Sequence, residues 1–281
     1  MITRTLYTTI VFMMMVCTPL SAHTITVADD GSADFTTIQA AVNSASDGDT
    51  VFVRAGIYKE TIFIHSNGFE KNLALLGDGM DSTIIFGEGI DLPDSPKQTT
   101  VINSLGNLIL KGFTITSADS YTYDGISINP RHKIEIAHNK ITNLQKGIMI
   151  FDSPIWVSEG YHDMCYCDTC FIEIYDNTIT NNKIGLHLGG NNYTGSGNDE
   201  DAIYDARQNW WGTTIEDEIK EGIYDWPPRI VDYSNWLTHE VTPPVQRQKN
   251  GIHQNNIYNN LEWNVVSVRL CPYEIRMKLC T

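Results

Sequence analysis

Two stretches of the chain repeat each other position by position. Residues 134–150 and 172–188 share eight apolar, Asn or Gly positions at identical internal offsets, which is more agreement than composition alone produces. In the first copy, these positions are Ile134, Ile136, Asn139, Ile141, Asn143, Gly147, Ile148 and Ile150. This part of the chain is therefore built from a repeated structural unit.

The apolar residues within each copy alternate, as at Ile134 and Ile136 or at Leu186 and Leu188. Such alternation is typical of a short strand with one buried face. Asn and Gly, which adopt positive φ readily, separate the strands and predict sharp corners. A unit this thin cannot bury its apolar face alone, so the copies are expected to stack. The sequence predicts an all-β fold, a parallel β-solenoid.

Weaker copies extend the repeat in both directions. Residues 108–128 fit the same template with an insertion near residue 120, and residues 73–77 and 83–86 have the pattern of earlier rungs. Residues 255–265 echo the pattern near the C-terminus. We therefore expect one solenoid domain at residues 23–240 and a rung-like extension or tail at residues 241–281.

The first 22 residues have the composition of a secretory signal peptide. Arg4 supplies a positive charge, residues 10–16 are apolar, and residues 20–22 provide a small-residue cleavage site. A membrane anchor is the alternative, but the apolar run is shorter than the roughly 20 residues that span a bilayer. We expect an exported protein that is secreted, periplasmic or at the cell surface, without a transmembrane segment.

A short amphipathic helix is predicted next. Phe35, Ile38 and Val42 are spaced as on one helical face, and Thr36 with Gln39 matches a capping box. A helix at this place would cover the first rung of the solenoid, where core and strand edges are otherwise exposed.

Several segments resemble known β-helix proteins. The N-terminal part of the pectin-lyase-like right-handed parallel β-helix superfamily, which includes the pectin methylesterases, is similar to residues 34–42, 48–51, 55–60 and 76–85. The closing segment of surface β-helix proteins is similar to residues 206–213 and 230–237. Those proteins carry repeats related to the copper-site maturation protein of nitrous oxide reductase. The resemblance implies a single-stranded, right-handed parallel β-helix with an N-terminal capping helix.

The catalytic motifs of two such families are absent from this sequence. Methylesterases use two aspartates and an arginine in Gln-Asp-Thr-Leu, Asp-Phe-Ile-Phe-Gly and Leu-Gly-Arg-Pro-Trp contexts, none of which occurs here. The polygalacturonase set, with Gly-His-Gly and Arg-Ile-Lys, is also missing. One scaffold carries many chemistries, so a shared fold does not by itself imply a shared activity. Because the motifs are missing, we expect neither pectin methylesterase nor polygalacturonase activity.

One compact basic cluster is the candidate catalytic site. Arg131, His132 and Lys133 could supply the base and the cation that a polysaccharide lyase needs at a uronate. The alternative is a solvated corner before the next strand. Candidate sugar-binding residues are Tyr121, Tyr123, Asp124, Trp156 and His187; the polar ones near residue 120 are equally compatible with a plain loop.

The formal net charge of -15 limits the choice of partner. Long-range repulsion opposes polyuronates and nucleic acid, so we expect no nucleic-acid partner. A neutral glycan escapes this objection, and calcium could bridge an acidic one. Asp199, Glu200 and Asp201 lie in an oxygen-rich loop of suitable composition for calcium, or in a plain acidic surface loop.

The cysteines leave two interpretations open. An exported chain favours disulfides, whereas the three closely spaced thiols together with His162 could form a zinc site. The candidates for pairing are Cys165, Cys167, Cys170, Cys271 and Cys280. Their odd number leaves one of them free, intermolecular or metal-bound.

Three functions are compatible with these features. The first is a secreted or cell-surface protein that binds extracellular polysaccharide or cell-surface glycan without catalysis. The second is a polysaccharide lyase or glycosidase, and the third is a structural or adhesive surface repeat protein. A glycosidase would need two carboxylates about 5 to 10 Å apart, a lyase would need a base beside a cationic site, and a binding protein would need only exposed aromatic and polar groups.

Overall fold

The computed structural model describes residues 22–65, 71–87, 100–118, 123–129, 133–150, 171–189, 204–226 and 231–242. The chain divides after Pro243 into two units, and every described residue lies in the first. The predicted signal peptide, except for Ala22, and the segment from residue 243 onward lie outside the described residues.

The described residues form short strands and two helices. Helix α1 spans Ile38–Ser44 and helix α2 spans Glu216–Glu221. The strands are β1 (Thr24–Val27), β2 (Thr50–Val53), β3 (Gly56–Tyr58), β4 (Ile62–Ile64), β5 (Leu73–Gly77), β6 (Thr83–Gly87), β7 (Thr100–Leu105), β8 (Leu108–Lys111), β9 (Thr114–Ser117), β10 (Asp124–Asn129), β11 (Lys133–Ala137), β12 (Lys140–Thr142), β13 (Lys146–Ile150), β14 (Phe171–Tyr175), β15 (Thr178–Thr180), β16 (Ile184–Gly189), β17 (Tyr204–Asp205), β18 (Ile223–Trp226) and β19 (Val231–Asp232).

The strands assemble into three parallel sheets that wrap around one core. Sheet A has the order β1-β2-β5-β8-β11-β14-β17-β19, sheet B has the order β3-β6-β9-β12-β15, and sheet C has the order β4-β7-β10-β13-β16-β18. From β2 to β17, the chain visits A, B and C in turn before it returns to A one rung higher. The right-handed parallel β-helix is confirmed, and so are the early rungs predicted at residues 73–77 and 83–86.

Equivalent apolar residues of successive coils line up inside the helix. In sheet A, the strand register places Leu75, Leu110, Ile136 and Ile174 in one buried row. Sheet B does the same with Ile85, Ile115, Ile141 and Ile179. Each such side chain contributes roughly 1.5–3 kcal/mol when fully buried. The alternation seen in the sequence is therefore the alternation between core and surface.

Helix α1 covers the edge of sheet C, but its first turn is held differently from the prediction. Gln39 Oε1 accepts the backbone N–H of Phe63 at 2.7 Å, and Gln39 Nε2 donates to the Phe63 carbonyl at 3.2 Å. The N-cap Thr37 makes no side-chain cap. Instead, the Glu60 carboxylate accepts the N–H groups of Ile38 and Gln39 at 2.8 and 2.9 Å. The predicted capping box of Thr36 and Gln39 is wrong because the Gln39 amide pairs with the strand edge.

A ladder of buried asparagines fixes the corner between sheets A and B. The side chains of Asn139, Asn177 and Asn209 are 0% exposed. The N–H of Asn139 donates to Asn177 Oδ1, and the N–H of Asn177 donates to Asn209 Oδ1, both at 3.0 Å. Asn177 Nδ2 also donates to the carbonyls of Ile136 and Tyr175 at 2.8 and 2.9 Å. Each amide thus satisfies backbone groups of its own coil and of a neighbouring one.

The residue before each ladder asparagine has a left-handed backbone. The φ angles of His138, Asp176 and Gln208 are 54°, 50° and 57°. Non-glycine residues pay a conformational cost in this region. The ladder hydrogen bonds offset that cost and keep all three corners in the same conformation.

We expect Asn177→Ala to lower the free energy of unfolding by roughly 3 kcal/mol or more, because it leaves several buried backbone groups unpaired. Chemical denaturation measures the change. Asn181→Gly is the matched control, since Asn181 also sits at a left-handed corner (φ 57°) but is exposed. An equal loss in both variants would show that the ladder adds no stability.

Candidate functional site

The outer face of sheet C carries one aligned row of side chains. Its members pair in register from strand to strand, and the five on β4, β7, β10, β13 and β16 each lie between two buried residues. The row runs Phe63, Asn103, Ser127, Met149, His187 and Tyr224. At about 4.8 Å per strand, it is long enough for an extended oligosaccharide.

The C-terminal end of this row is aromatic and accessible. The rings of His187 and Tyr224 stack with a centroid separation of 4.6 Å and an interplanar angle of 22°. Tyr224 is 46% exposed, whereas Met149 on the preceding strand is 5% exposed. An exposed aromatic face held by stacking is a rigid platform for an apolar ring surface.

An ion pair joins the first residues of β10 and β13, two strands that carry the row. Lys146 Nζ is 3.7 Å from Asp124 Oδ2 and donates to Met149 Sδ at 3.4 Å. Burial raises the pKa of Asp124, and interaction with Lys146 offsets only part of that rise. Burial, with a smaller contribution from the Lys146 charge, lowers the pKa of His187. Asp124 Oδ1 and His187 Nδ1 are buried without a hydrogen-bond partner among the described residues.

A second group of charged residues lies on the outer face of sheet A. Lys111 Nζ is 2.6 Å from Glu135 Oε1, and the Tyr175 hydroxyl donates to the same oxygen at 2.5 Å. Lys133 Nζ is 3.8 Å from Glu135 and 3.9 Å from Glu173. Burial raises the pKa of Glu135, but the hydrogen bonds from Lys111 and Tyr175 outweigh it and hold the pKa below its ordinary value. This cluster is internally satisfied, which favours a structural role.

The structure separates the candidate residues that the sequence singled out. Asp124 and His187 lie on sheet C, two strands apart. Lys133 lies on sheet A with Glu135 and Glu173, away from that pair. Tyr123 is 8% exposed and belongs to the hydrophobic core, so its ring is not displayed at the surface.

The other predicted site residues lie outside the described residues. They are the catalytic candidates Arg131 and His132, the sugar-binding candidates Tyr121 and Trp156, the calcium candidates Asp199, Glu200 and Asp201, and all five cysteines, Cys165, Cys167, Cys170, Cys271 and Cys280. Among the residues that the structure does describe, no group of three or more His, Cys, Asp or Glu side chains could hold a metal ion. No helix in the described ranges is long and apolar enough to cross a bilayer.

Sequence reasoning missed Lys146, Met149 and Tyr224. A signal for Met149 was present, because it occupies the same offset in the repeat as His187 and Ser127. That offset is the single outward position between two core residues. Tyr224 follows helix α2, where the repeat is interrupted, and no pattern in the sequence marks it as the next member of the row.

The comparisons with known proteins match parts of this chain to pectinesterases. The Pectinesterase family model matches residues 24–119. Probable pectinesterase/pectinesterase inhibitor 6 of Arabidopsis thaliana is 42% identical over 67 residues, which is 22% of this chain and 12% of that protein. Pectinesterase 3 of Solanum lycopersicum is 40% identical over 65 residues, again 22% of this chain and 12% of that protein.

Two further matches are a curated protein and a solved structure. Probable pectinesterase 56 of Arabidopsis thaliana is 39% identical over 71 residues, or 23% of this chain and 24% of that protein. A solved structure of pectin methylesterase from carrot aligns with 76% of this chain and 88% of its own, at 14% identity and a TM-score of 0.32. The chain thus matches less than a quarter of the length of each of the three curated relatives. The family-model match ends before Asp124, so the polar cluster on sheet C lies beyond it.

We expect Tyr175→Phe to lower the free energy of unfolding at neutral pH by roughly 1.5–3 kcal/mol, because Glu135 loses a hydrogen bond to its charged form. The pKa of Glu135 is lowered in the folded state, so this stabilisation is present above the unfolded-state pKa and is lost as pH falls through the folded-state pKa.

Denaturation of the wild type and of Tyr175→Phe over a series of pH values tests this. Tyr224→Phe is the control, because that ring is on sheet C and exposed, and we expect almost no effect from it. A Tyr175→Phe deficit that stays constant into acid would contradict the assignment to ionised Glu135.

Proposed function

We propose that this protein is an exported β-helix that binds a pectin-like, uronate-containing polysaccharide along the outer face of sheet C, without cleaving it. The observation that carries the proposal is the stacked pair of His187 and Tyr224 at the accessible end of the row, beside the Lys146 ammonium. The predicted signal peptide at residues 1–22 supports export.

The chemistry of the row suits recognition of sugars. Tyr224 offers an aromatic face, the half-buried Asn103 supplies an amide, and Lys146 provides a positive charge close to the row. Polysaccharide sites combine such flat apolar surfaces with a few polar groups that fix orientation. The row extends over six strands of sheet C, with Ser127 and Met149 buried at its middle and Tyr224 exposed at its accessible end.

Similarity to pectinesterases at residues 24–119 supports a pectin-like ligand. The same similarity does not support catalysis, because the methylesterase motifs do not occur in the sequence. In addition, the six residues of the row include no carboxylate. A glycosidase pair on sheet A is disfavoured since Glu135 already contacts Lys111, Tyr175 and Lys133. Binding is therefore the activity that the described side chains support best.

We expect Tyr224→Ala to weaken binding of an oligogalacturonide about five- to tenfold, which corresponds to the loss of one aromatic stacking contact. Isothermal titration calorimetry on residues 23–281 measures this change. Ile57→Ala is the matched control, because Ile57 is 58% exposed and lies on sheet B.

The same samples are assayed for methanol, new reducing ends and the ultraviolet absorbance of unsaturated uronates. We expect none of these products. Product formation would replace the binding role with an enzymatic one, and equal affinity of wild type and Tyr224→Ala would remove sheet C from the site.

A further inference from the structure

Three ionisable residues lie on consecutive strands of sheet C. Asp124 is on β10, Lys146 is on β13 and His187 is on β16. Lys146 Nζ is 3.7 Å from Asp124 Oδ2 and 3.4 Å from Met149 Sδ, and Met149 is paired in register with His187. The ammonium group therefore lies between the carboxylate and the imidazole.

The described residues on the strands packed against this trio contribute the following groups, and Asp225 of β18 is paired in register with Leu188 of β16. From β18, the ring of Tyr224 stacks on His187. From β7, Thr100 is the register neighbour of Asp124, and from β13 the charged group is Lys146 itself. Among the described side chains of β16, His187 is the one that ionises. Among the described side chains of β10, β13 and β16, the ionisable groups at this place are therefore Asp124, Lys146 and His187.

A fall in pH makes the charge of two of the three groups more positive. Burial raises the pKa of Asp124, so this carboxylate loses its negative charge early as the pH falls. Burial and Lys146 lower the pKa of His187, so the ring is neutral near neutral pH and gains a proton only in more acidic solution.

We propose that Asp124, Lys146 and His187 form an acid-activated recognition site for sugar carboxylates on sheet C. At neutral pH the trio carries one negative and one positive charge and has no net charge. Acidification makes the trio more positive, because Asp124 loses its negative charge and His187 gains a proton beside Lys146. This inference rests on the proposed function, because it assumes that the glycan contacts this face.

The proposal also accounts for a conflict within the chain. A formal charge of -15 repels polyuronates at long range. A local site that turns positive in acid overcomes this repulsion when the overall negative charge is also reduced. Methyl-esterified sugars carry no charge, so the same change gives them no advantage. The ligand class is therefore a polysaccharide with free carboxylates.

Thermodynamic linkage determines how binding of an anion changes the pKa of His187. If protonation of His187 strengthens binding of an anion, then binding of the anion must raise the pKa of His187 by the corresponding amount. Nuclear magnetic resonance of the histidine ring, recorded with and without ligand, measures this directly. A purely structural His187 would show no such shift.

The experiment measures binding of a galacturonate oligomer and of its methyl-esterified form to residues 23–281, at constant ionic strength. The pH is varied between about 5 and 8, where histidine titrates and sugar carboxylates remain ionised. We expect affinity for the free acid to rise severalfold toward acid, because the charge of the trio becomes more positive at short range. Affinity for the ester is expected to stay nearly constant.

Two variants isolate the trio from the general decrease in negative charge. Asp124→Asn is expected to bind the free acid several-fold more tightly than wild type at neutral pH and to flatten the profile. His187→Asn is expected to lose the part of the rise that depends on the imidazolium. His138→Asn is the matched control, because burial also lowers the pKa of His138 and its left-handed backbone accepts Asn, yet its neighbour Tyr175 is on sheet A.

The outcomes separate the two proposals. Binding of the free acid that is independent of pH, or an equal rise for the ester, overturns the acid-activated site and leaves glycan binding intact. A His138→Asn profile altered as much as that of His187→Asn also overturns it. Failure to bind either oligomer at any pH overturns both proposals.

Discussion

The buried asparagine ladder is the interaction on which the regularity of the coils depends. Asn139, Asn177 and Asn209 hold the same corner in consecutive coils, and each amide spans from one coil to the next. The corners require left-handed backbone at non-glycine residues, a conformation that persists only where surrounding contacts determine it. Once these corners coincide, the strands that leave them are forced into register.

Register has a functional consequence on the outside of the molecule. Because every coil presents its outward position at the same place, side chains far apart in sequence form straight rows across the sheets. On sheet A, this brings Lys111, Glu135 and Tyr175 together in a satisfied network. On sheet C, it aligns Met149, His187 and Tyr224 and leaves an aromatic surface exposed. One scaffold rule therefore produces a stabilising face and a candidate binding face.

The repeat predicted the fold closely because its signal is the burial pattern itself. Alternating Ile and Leu mark the core rows, and Asn139 and Asn177 mark the ladder corner. The site was less predictable, since Asp124 and Lys146 meet across a coil and their separation in sequence reveals no contact. The Thr36 and Gln39 capping box failed for a similar reason, because Glu60 and Phe63 from later strands supplied better partners. Local patterns cannot show which distant group wins a hydrogen bond.

Hydroxyl-radical footprinting of residues 23–281, with and without a galacturonate oligomer in mildly acidic buffer, tests the central claim that the glycan lies on sheet C. The account predicts that the ligand reduces oxidation of Tyr224, while Tyr175 on sheet A and Tyr233, which follows β19 of sheet A, keep their rates. Protection of Tyr175 with Tyr224 unchanged would contradict the account and would move the binding face to sheet A.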